Sequence, residues 1–539
     1  YDQQKNLLIQ SEEGDSWDSN AKRTASQKEL TANRIIIRIR EDERDHLFGN
    51  RATEAIPGPE TLDMGGQFLT NRNRIHEKSK LYRIALEMPK GCHLHLHFNS
   101  ELPPMPLLEK ARCMDNMFIR STQPILSSQD LEVTEIVFTV LPADTETVDI
   151  FSPGYNPAFR PPDATRPWMR WKDFRKIYSE RFESQMRLPV EEYIRRRMIL
   201  TDEEVYAISQ TTNGIWARFN QGTRCFKGLM NYESIYRWYI GAAIDSMIRD
   251  KVMYAELRPM LLDKSIPSDD GMRKLDHEAQ MNIILEEVQI KQVELEREGR
   301  LKEFPFGVKI IYSTPRSIPK AMMKREMQDC ISLKLKFPDL ICGFDLVGAE
   351  DRPNNIGFYS EELAAFNETC KSLNISIPYM FHAGETLLDR GGSKTPLNSN
   401  LYDAIIFNAK RIGHGFSLLK HPQLVQEFKE RQICIELCPT SNELLHLCRN
   451  IKEHPYPHIL AAGIPCTVNS DNPSLFSSSV SDEFYQVMVG STTMNLHGWR
   501  QLAEWSITHS CLSDGEKTKA FEIFWADWER YCDWVIETY

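Results

Sequence analysis

The sequence predicts an α/β fold, a closed (β/α)8 barrel of the TIM type, with an N-terminal helical extension and a long insertion after strand 1. Three observations carry this. Short apolar runs recur near 92–98, 251–257, 307–312, 341–347, 376–382, 410–413, 433–437 and 465–470. Helix-like patterns separate them, such as Leu275 to Glu298 ended by Gly299. Four of the runs end in His, Glu or Asp, and the C-terminal rim of a parallel barrel is where such residues act. An open doubly wound sheet is the alternative, but no Gly-rich phosphate turn follows the first run.

The 539 residues exceed one ordinary domain, and 41% hydrophobic with 26% charged residues is globular composition with ample core. A net charge of -11 and a pI near 5.8 argue against a nucleic-acid surface. No apolar run reaches the roughly 18 residues of a membrane span. The twelve cysteines form no CxxC pair; Cys434, Cys438 and Cys466 lie in or beside apolar runs and read as buried free thiols. Two sequons, at Asn367 and Asn374, support secretion only weakly. The start at Tyr1 is that of a processed or truncated form, with any targeting peptide out of view.

Residues 1–25 are polar and look disordered or loosely held. Ser26 and Glu29 form a capping box that opens a helix through about Phe48, stopped by Gly49. Residues 55–65 read as a loop, and a second helix runs from about Asn71 to Glu87. We take 1–87 as a tail and helical region and 88–539 as the barrel, with an inserted lobe at about 99–200. Within the lobe, Pro153, Tyr155, Pro157, Phe159, Pro161, Pro162, Pro167 and Trp168 exclude a regular helix. Because it leaves the C-terminal end of strand one, the lobe overhangs the active rim. A second capping box, Ser513 with Glu516, opens a last helix whose Phe521, Phe524, Trp525, Trp528, Cys532 and Val535 form a packing face.

The chemistry lies on four strand ends. In strand one, His93, His95 and His97 share a face, because side chains alternate. Two imidazoles so spaced can grip one metal ion. His95 and His97, nearest the rim, are the better placed pair, and His93 reads as a hydrogen-bonded core residue. Phe381-His382-Ala383-Gly384-Glu385-Thr386 supplies another imidazole and a carboxylate, Arg411-Ile412-Gly413-His414-Gly415-Phe416 another His, and Ser470-Asp471-Asn472-Pro473 an Asp. Ring closure brings strand eight beside strand one, so Asp471 can approach His95 and His97. Three imidazoles and one carboxylate suit Zn²⁺, which makes water nucleophilic near neutral pH. Glu385 and His414 then remain as acid/base groups.

With Met88-Pro89-Lys90-Gly91 ahead of the three histidines and Cys438-Pro439-Thr440-Ser441-Asn442 further on, these stretches resemble the adenosine deaminase superfamily. The leading helices, Tyr254–Arg258, Ile310–Ser313, Gly343–Gly348 and Ser481–Tyr485 are similar to its growth-factor-related, adenosine deaminase 2-like branch, over about residues 26–537. The resemblance implies one Zn²⁺ per subunit on His95, His97, His382 and Asp471. It implies Glu385 as the shuttle that protonates purine N1 and His414 as the base that orients or activates the attacking water. It makes Gly348 a backbone contact to the purine ring and Trp216 a pocket aromatic. It further implies a homodimer through the leading helices and a purine substrate, with no nucleic-acid or membrane partner. It favours a secreted over a cytoplasmic protein.

Two positions depart from the family pattern. Asn472 stands where an Asp usually bonds N7, though an amide can still donate there. Asn99 stands where much of the superfamily has an Asp on the ribose 5′-hydroxyl, and this removes a repulsion against a 5′-phosphate. The insertion also offers Cys113 no evident disulfide partner. The leading expectation is zinc-dependent deamination of adenosine and 2′-deoxyadenosine to inosines and ammonia. An AMP or ATP deaminase on the same site is the alternative, and a growth-factor-like binding protein with vestigial catalysis is a second.

Overall fold

The computed structural model describes residues 1–157 and 167–539. Eight parallel strands stand where the apolar runs place them: β1 Gly91–Leu96, β2 Val252–Leu257, β3 Val308–Pro315, β4 Ile341–Val347, β5 His382–Ala383, β6 Arg411–His414, β7 Cys434–Leu437 and β8 Cys466–Val468. Strands covered on both faces read as unbroken apolar runs, and β1, β2, β4 and β7 are buried along their whole length. The ladders run β1-β2-β3-β4 and β5-β6-β7-β8. Parallel bridges Phe344↔Tyr379 and Leu96↔Asp471 join them into a ring. At the closing seam the His97 amide donates to the Asp471 carbonyl at 2.8 Å, and the Asp471 amide to the His95 carbonyl at 3.2 Å.

The fifth strand is shorter than expected. Its approach, 376–381, shares backbone hydrogen bonds with β4 at Phe344, whose amide donates to Pro378 O and whose carbonyl accepts from Met380 N, each at 3.0 Å. Pro378 has no amide to continue the ladder.

The N-terminal region differs from expectation in three respects. Residues 2–15 and 19–23 are helical, although Asp2–Asp15 buries no side chain. The Ser26 cap accepts from the Glu29 amide at 3.2 Å, but the reciprocal half of the box is missing. The buried Glu29 carboxylate is held instead by His497 Nδ1 at 2.6 Å and Arg500 Nη1 at 2.7 Å. The expected helix 71–87 is two helices, Phe68–Lys78 and Lys80–Glu87, divided at Ser79, which caps the second.

Helix Gln27–Asp42 packs against the last helix, Asp514–Thr538, whose capping box is complete. Phe524, Trp528, Cys532 and Val535 are buried there, whereas Trp525 is 53% exposed and donates to Glu504 Oε1. The inserted segment builds a small antiparallel sheet, Met117–Ser121 between Ile136–Val140 and Met169–Arg170, against helix Thr212–Met230. Phe159, Pro161 and Pro162 lie outside the described residues. All twelve cysteines are free; Cys434, Cys438 and Cys466 are buried and Cys113 is exposed. No described helix is long and apolar enough to cross a membrane.

Candidate active site

The ring brings His95, His97, His382 and Asp471 together, with one donor atom from each within 4.8 Å of the others. His95 Nε2 and His97 Nε2 stand 3.3 and 3.1 Å from Asp471 Oδ1, and His97 Nε2 stands 3.3 Å from His382 Nε2. His93 points into the core, where its Nε2 accepts from the Ser470 amide at 3.1 Å.

Buried charges behind the ring fix how these imidazoles face. Glu436 is gripped by Arg258 Nη2 at 2.7 Å and Arg411 Nε at 2.6 Å. Burial pushes its carboxyl up, but the two guanidiniums hold it well below the usual range. An ionised carboxylate only accepts, so His95 must donate its Nδ1–H to Glu436 Oε2 at 2.8 Å. Asp345, paired with Arg258 Nε at 3.0 Å, likewise accepts His382 Nδ1–H at 2.8 Å. Both rings therefore turn an Nε2 lone pair inward. The His95 Nε2 is buried without a hydrogen-bond partner and faces an oxygen that can only accept. Acceptors converging at this range repel unless a cation lies among them. The same demand holds His95 above its ordinary value: burial and Arg258 push it down, and Asp471 with Glu436 overcome them. The donor set fits a divalent metal.

Glu385 and His414 border this cluster. Glu350 accepts from the amides of Gly384 at 3.0 Å and Glu385 at 2.8 Å, and Asn400 Nδ2 steadies it at 2.8 Å. Burial, then the Asp471 and Glu350 carboxylates, push the Glu385 carboxyl well above its usual range. A relay sets the His414 tautomer. The Tyr456 amide, a fixed donor, gives its hydrogen to His454 Nδ1 at 3.1 Å. His454 Nε2–H then donates to Asn442 Oδ1 at 2.9 Å, and Asn442 Nδ2 donates to His414 Nδ1 at 3.0 Å. His414 therefore carries its hydrogen on Nε2, 3.6 Å from Glu385 Oε1. Burial keeps both rings neutral, with His454 pushed down to about 3 and His414 well below its usual value.

A cavity of about 220 Å³, sized for one small molecule, opens onto this cluster. His97, His382, Glu385, His414 and Asp471 line it, as do Asn99, Trp216, Gly348 and Asn472, while His95 stands behind them. A broader groove of about 530 Å³ adjoins it but carries no cluster of metal-type donors among the described residues. Gly348 has φ +101 and open space where a Cβ would stand. Asn472 Nδ2 donates to Asp471 Oδ1 at 2.9 Å and its Oδ1 accepts from Ser100 at 2.7 Å, leaving one amide hydrogen for a ligand. Among the described residues three cations line the cavity, and each is already paired: Arg224 with Glu135, Lys227 with Asp263, and Arg258 with Asp345 and Glu436.

Sequence reasoning gave no role to Asp345, Glu350, Arg258, Arg411, Glu436, Asn442 or His454. Several were visible as charges inside apolar runs, such as Glu436 within Ile433–Cys438.

Residues 201–523 match the family model described as Adenosine deaminase. Adenosine deaminase 2 of Sus scrofa is 30% identical over 464 residues, covering 85% of this chain and 81% of that protein. The Homo sapiens adenosine deaminase 2 is 29% identical over 459 residues, covering 84% and 80%. Among solved structures, an amidohydrolase from Burkhoderia ambifaria with bound Zn superposes with a TM-score of 0.53 at 13% identity, over 85% of this chain and 95% of that one. An Arabidopsis N6-mAMP deaminase gives 0.52 at 16%, over 82% and 99%. The ring of eight parallel strands, the converging donors and these matches agree: the chain belongs to the adenosine deaminase family, in its adenosine deaminase 2-like branch.

Proposed function

We propose that the protein hydrolyses adenosine and 2′-deoxyadenosine at C6, giving inosine or deoxyinosine and ammonia. The observation that carries this is the inward convergence of His95, His97, His382 and Asp471 beside a cavity bordered by Glu385 and His414. His95, His97, His382 and Asp471 would hold one Zn²⁺ per subunit, and the chemistry it would supply is Lewis-acid activation of a water molecule. Glu385, whose acid form its surroundings favour, delivers a proton to purine N1; its carboxylate then takes one proton of the water and passes it to the departing ammonia, and the water's other proton, left on O6, returns to Glu385 and restores the acid. The resting tautomer of His414 suits it to donate Nε2–H to the oxygen that attacks C6, which orients that oxygen. The spare hydrogen of the Asn472 amide bonds N7, the Gly348 backbone lies against the ring, and Trp216 walls the cavity. Asn99 takes the ribose end.

A nucleotide substrate is disfavoured because, among the described residues, no cation lining the cavity is left unpaired for a phosphate. The test is ammonia release from adenosine, 2′-deoxyadenosine, AMP and ATP, before and after chelation. Adenosine should be turned over fastest, a strong chelator should abolish turnover, and added Zn²⁺ should restore it. Faster release from AMP or ATP would reverse the substrate assignment.

The same reading includes a homodimer through the N-terminal helices. Helix Asp2–Asp15 buries nothing, and its Leu7 and Leu8 are 66% and 73% exposed. Light scattering is expected to give twice the 62.6 kDa chain mass, falling to one chain mass in a Leu7→Glu, Leu8→Glu double variant. A monomeric wild type would refute it.

A further inference from the structure

The floor of the barrel, at the N-terminal ends of the strands, carries a second cluster of reactive side chains. Cys342 lies near the start of β4, and Cys511 lies in the loop between helices Leu496–Thr508 and Asp514–Thr538. Their Sγ atoms and a Glu256 oxygen lie within 4.8 Å of one another. Cys511 Sγ is also 3.8 Å from the Cys342 carbonyl oxygen. Cys342 is buried among Ile311 and Met380, while Cys511 is half-buried.

The two thiols differ in character. Lys410 Nζ and Arg411 Nη1 stand 3.4 and 3.8 Å from Cys511 Sγ. The neighbouring Cys342 thiol, with Arg411 and Lys410, brings the Cys511 thiol down to about 7 against burial and Glu256. Burial, then Cys511 and Glu256, push Cys342 well up. A half-buried thiol flanked by two cations, beside a fully buried thiol, is the pairing of an attacking and a resolving cysteine. Among the described cysteines only Cys113, Cys448 and Cys511 are not buried.

We propose that Cys342 and Cys511 are an oxidisable pair that closes into an internal disulfide on meeting a low-molecular-weight disulfide such as oxidised glutathione. The Cys511 thiolate attacks one glutathione sulfur, forming a mixed disulfide and expelling a glutathione thiolate. Cys342 then attacks the Cys511 sulfur; its proton goes to the second glutathione as that leaves. The protein loses two electrons, and oxidised glutathione is reduced to two thiols. The new bond ties the loop ahead of the last helix to β4, across 169 residues of chain, and restricts the unfolded ensemble. It also acts on a coupled element: the Cys511 amide donates to Glu256 Oε1 at 2.6 Å, and the other Glu256 oxygen holds Arg411.

The test treats the full-length, metal-loaded protein with oxidised glutathione, alkylates remaining thiols and maps peptides by mass spectrometry without reduction. A linked Cys342–Cys511 peptide pair is expected in the wild type, with a thermal midpoint raised by a few degrees that dithiothreitol reverses. Cys342→Ser should instead trap glutathione on Cys511 and show no rise. Complete alkylation of both cysteines after oxidation, or a mixed disulfide that persists on Cys511 in the wild type, would overturn the proposal. The wild-type peptide map decides this even if the serine variant fails to fold.

Discussion

Glu385→Gln is expected to lower kcat by about 10²–10⁴-fold, the span that general acid–base groups contribute, while KM for adenosine and bound metal change little. Gln keeps the size of the side chain and can still donate a hydrogen bond to N1, but it cannot release a proton. The wild-type carboxyl is prepared for release. It is 4% exposed, with Asp471 and Glu350 nearby, and both burial and like charge favour its neutral form. Its raised value fixes the direction of the pH response. The acid form persists from low pH up to that value, so this limb of kcat falls as pH rises through it, and Glu385→Gln should abolish the limb. The turn that holds Glu385 is separately secured by Glu350 on the Gly384 and Glu385 amides. A kinetic loss without a change in metal content thus reports proton delivery, not collapse of the loop. A variant retaining a tenth or more of wild-type kcat would show that the proton reaches N1 by another route.

What could be read without coordinates divides along physical lines. Barrel strands are buried on both faces, so even short ones such as Cys434–Leu437 stand out as apolar runs. The clustered imidazoles and carboxylates sit at the ends of those runs, where an exposed-type side chain breaks the pattern, as with His382 and Asp471. Asp345, Glu436 and Arg258 lie inside or just past similar runs, but a lone charge in an apolar stretch does not name its partner. Glu436 meets His95 across 341 residues of chain, a juxtaposition that only ring closure creates. The limit at Glu29 is of another kind. The capping signal is local and correct for Ser26, yet the carboxylate is drawn away by a buried ion pair with Arg500, which outcompetes a surface cap. Fold-scale patterns survive such competition because many residues contribute to them. Single hydrogen bonds do not.

Asn442→Asp is expected to reduce kcat by about 10²–10³-fold, the cost of removing one preorganised donor from a transition state, with metal content retained. The substitution exchanges an amide nitrogen for an oxygen at nearly constant volume. In the wild type the direction of every hydrogen in the relay follows from its far end. The Tyr456 backbone amide can only donate, so His454 Nδ1 must accept and its Nε2 must donate. Asn442 then presents its NH₂ to His414. An aspartate there has no hydrogen to give. It accepts from His454 as before and now also accepts from His414, which moves the neutral ring's hydrogen to Nδ1 and turns a lone pair into the cavity. The attacking oxygen loses its donor and meets an acceptor instead. Histidine ¹⁵N chemical shifts of the two proteins should show the His414 hydrogen on Nε2 in the wild type and on Nδ1 in the variant. Unchanged kcat with the tautomer demonstrably reversed would mean that His414 serves equally well in either form and that the relay is structural. Unchanged shifts would mean that something other than Asn442 sets the ring, and Phe416, whose ring packs edge-on against His454 with centroids 5.3 Å apart, is the neighbour to replace next.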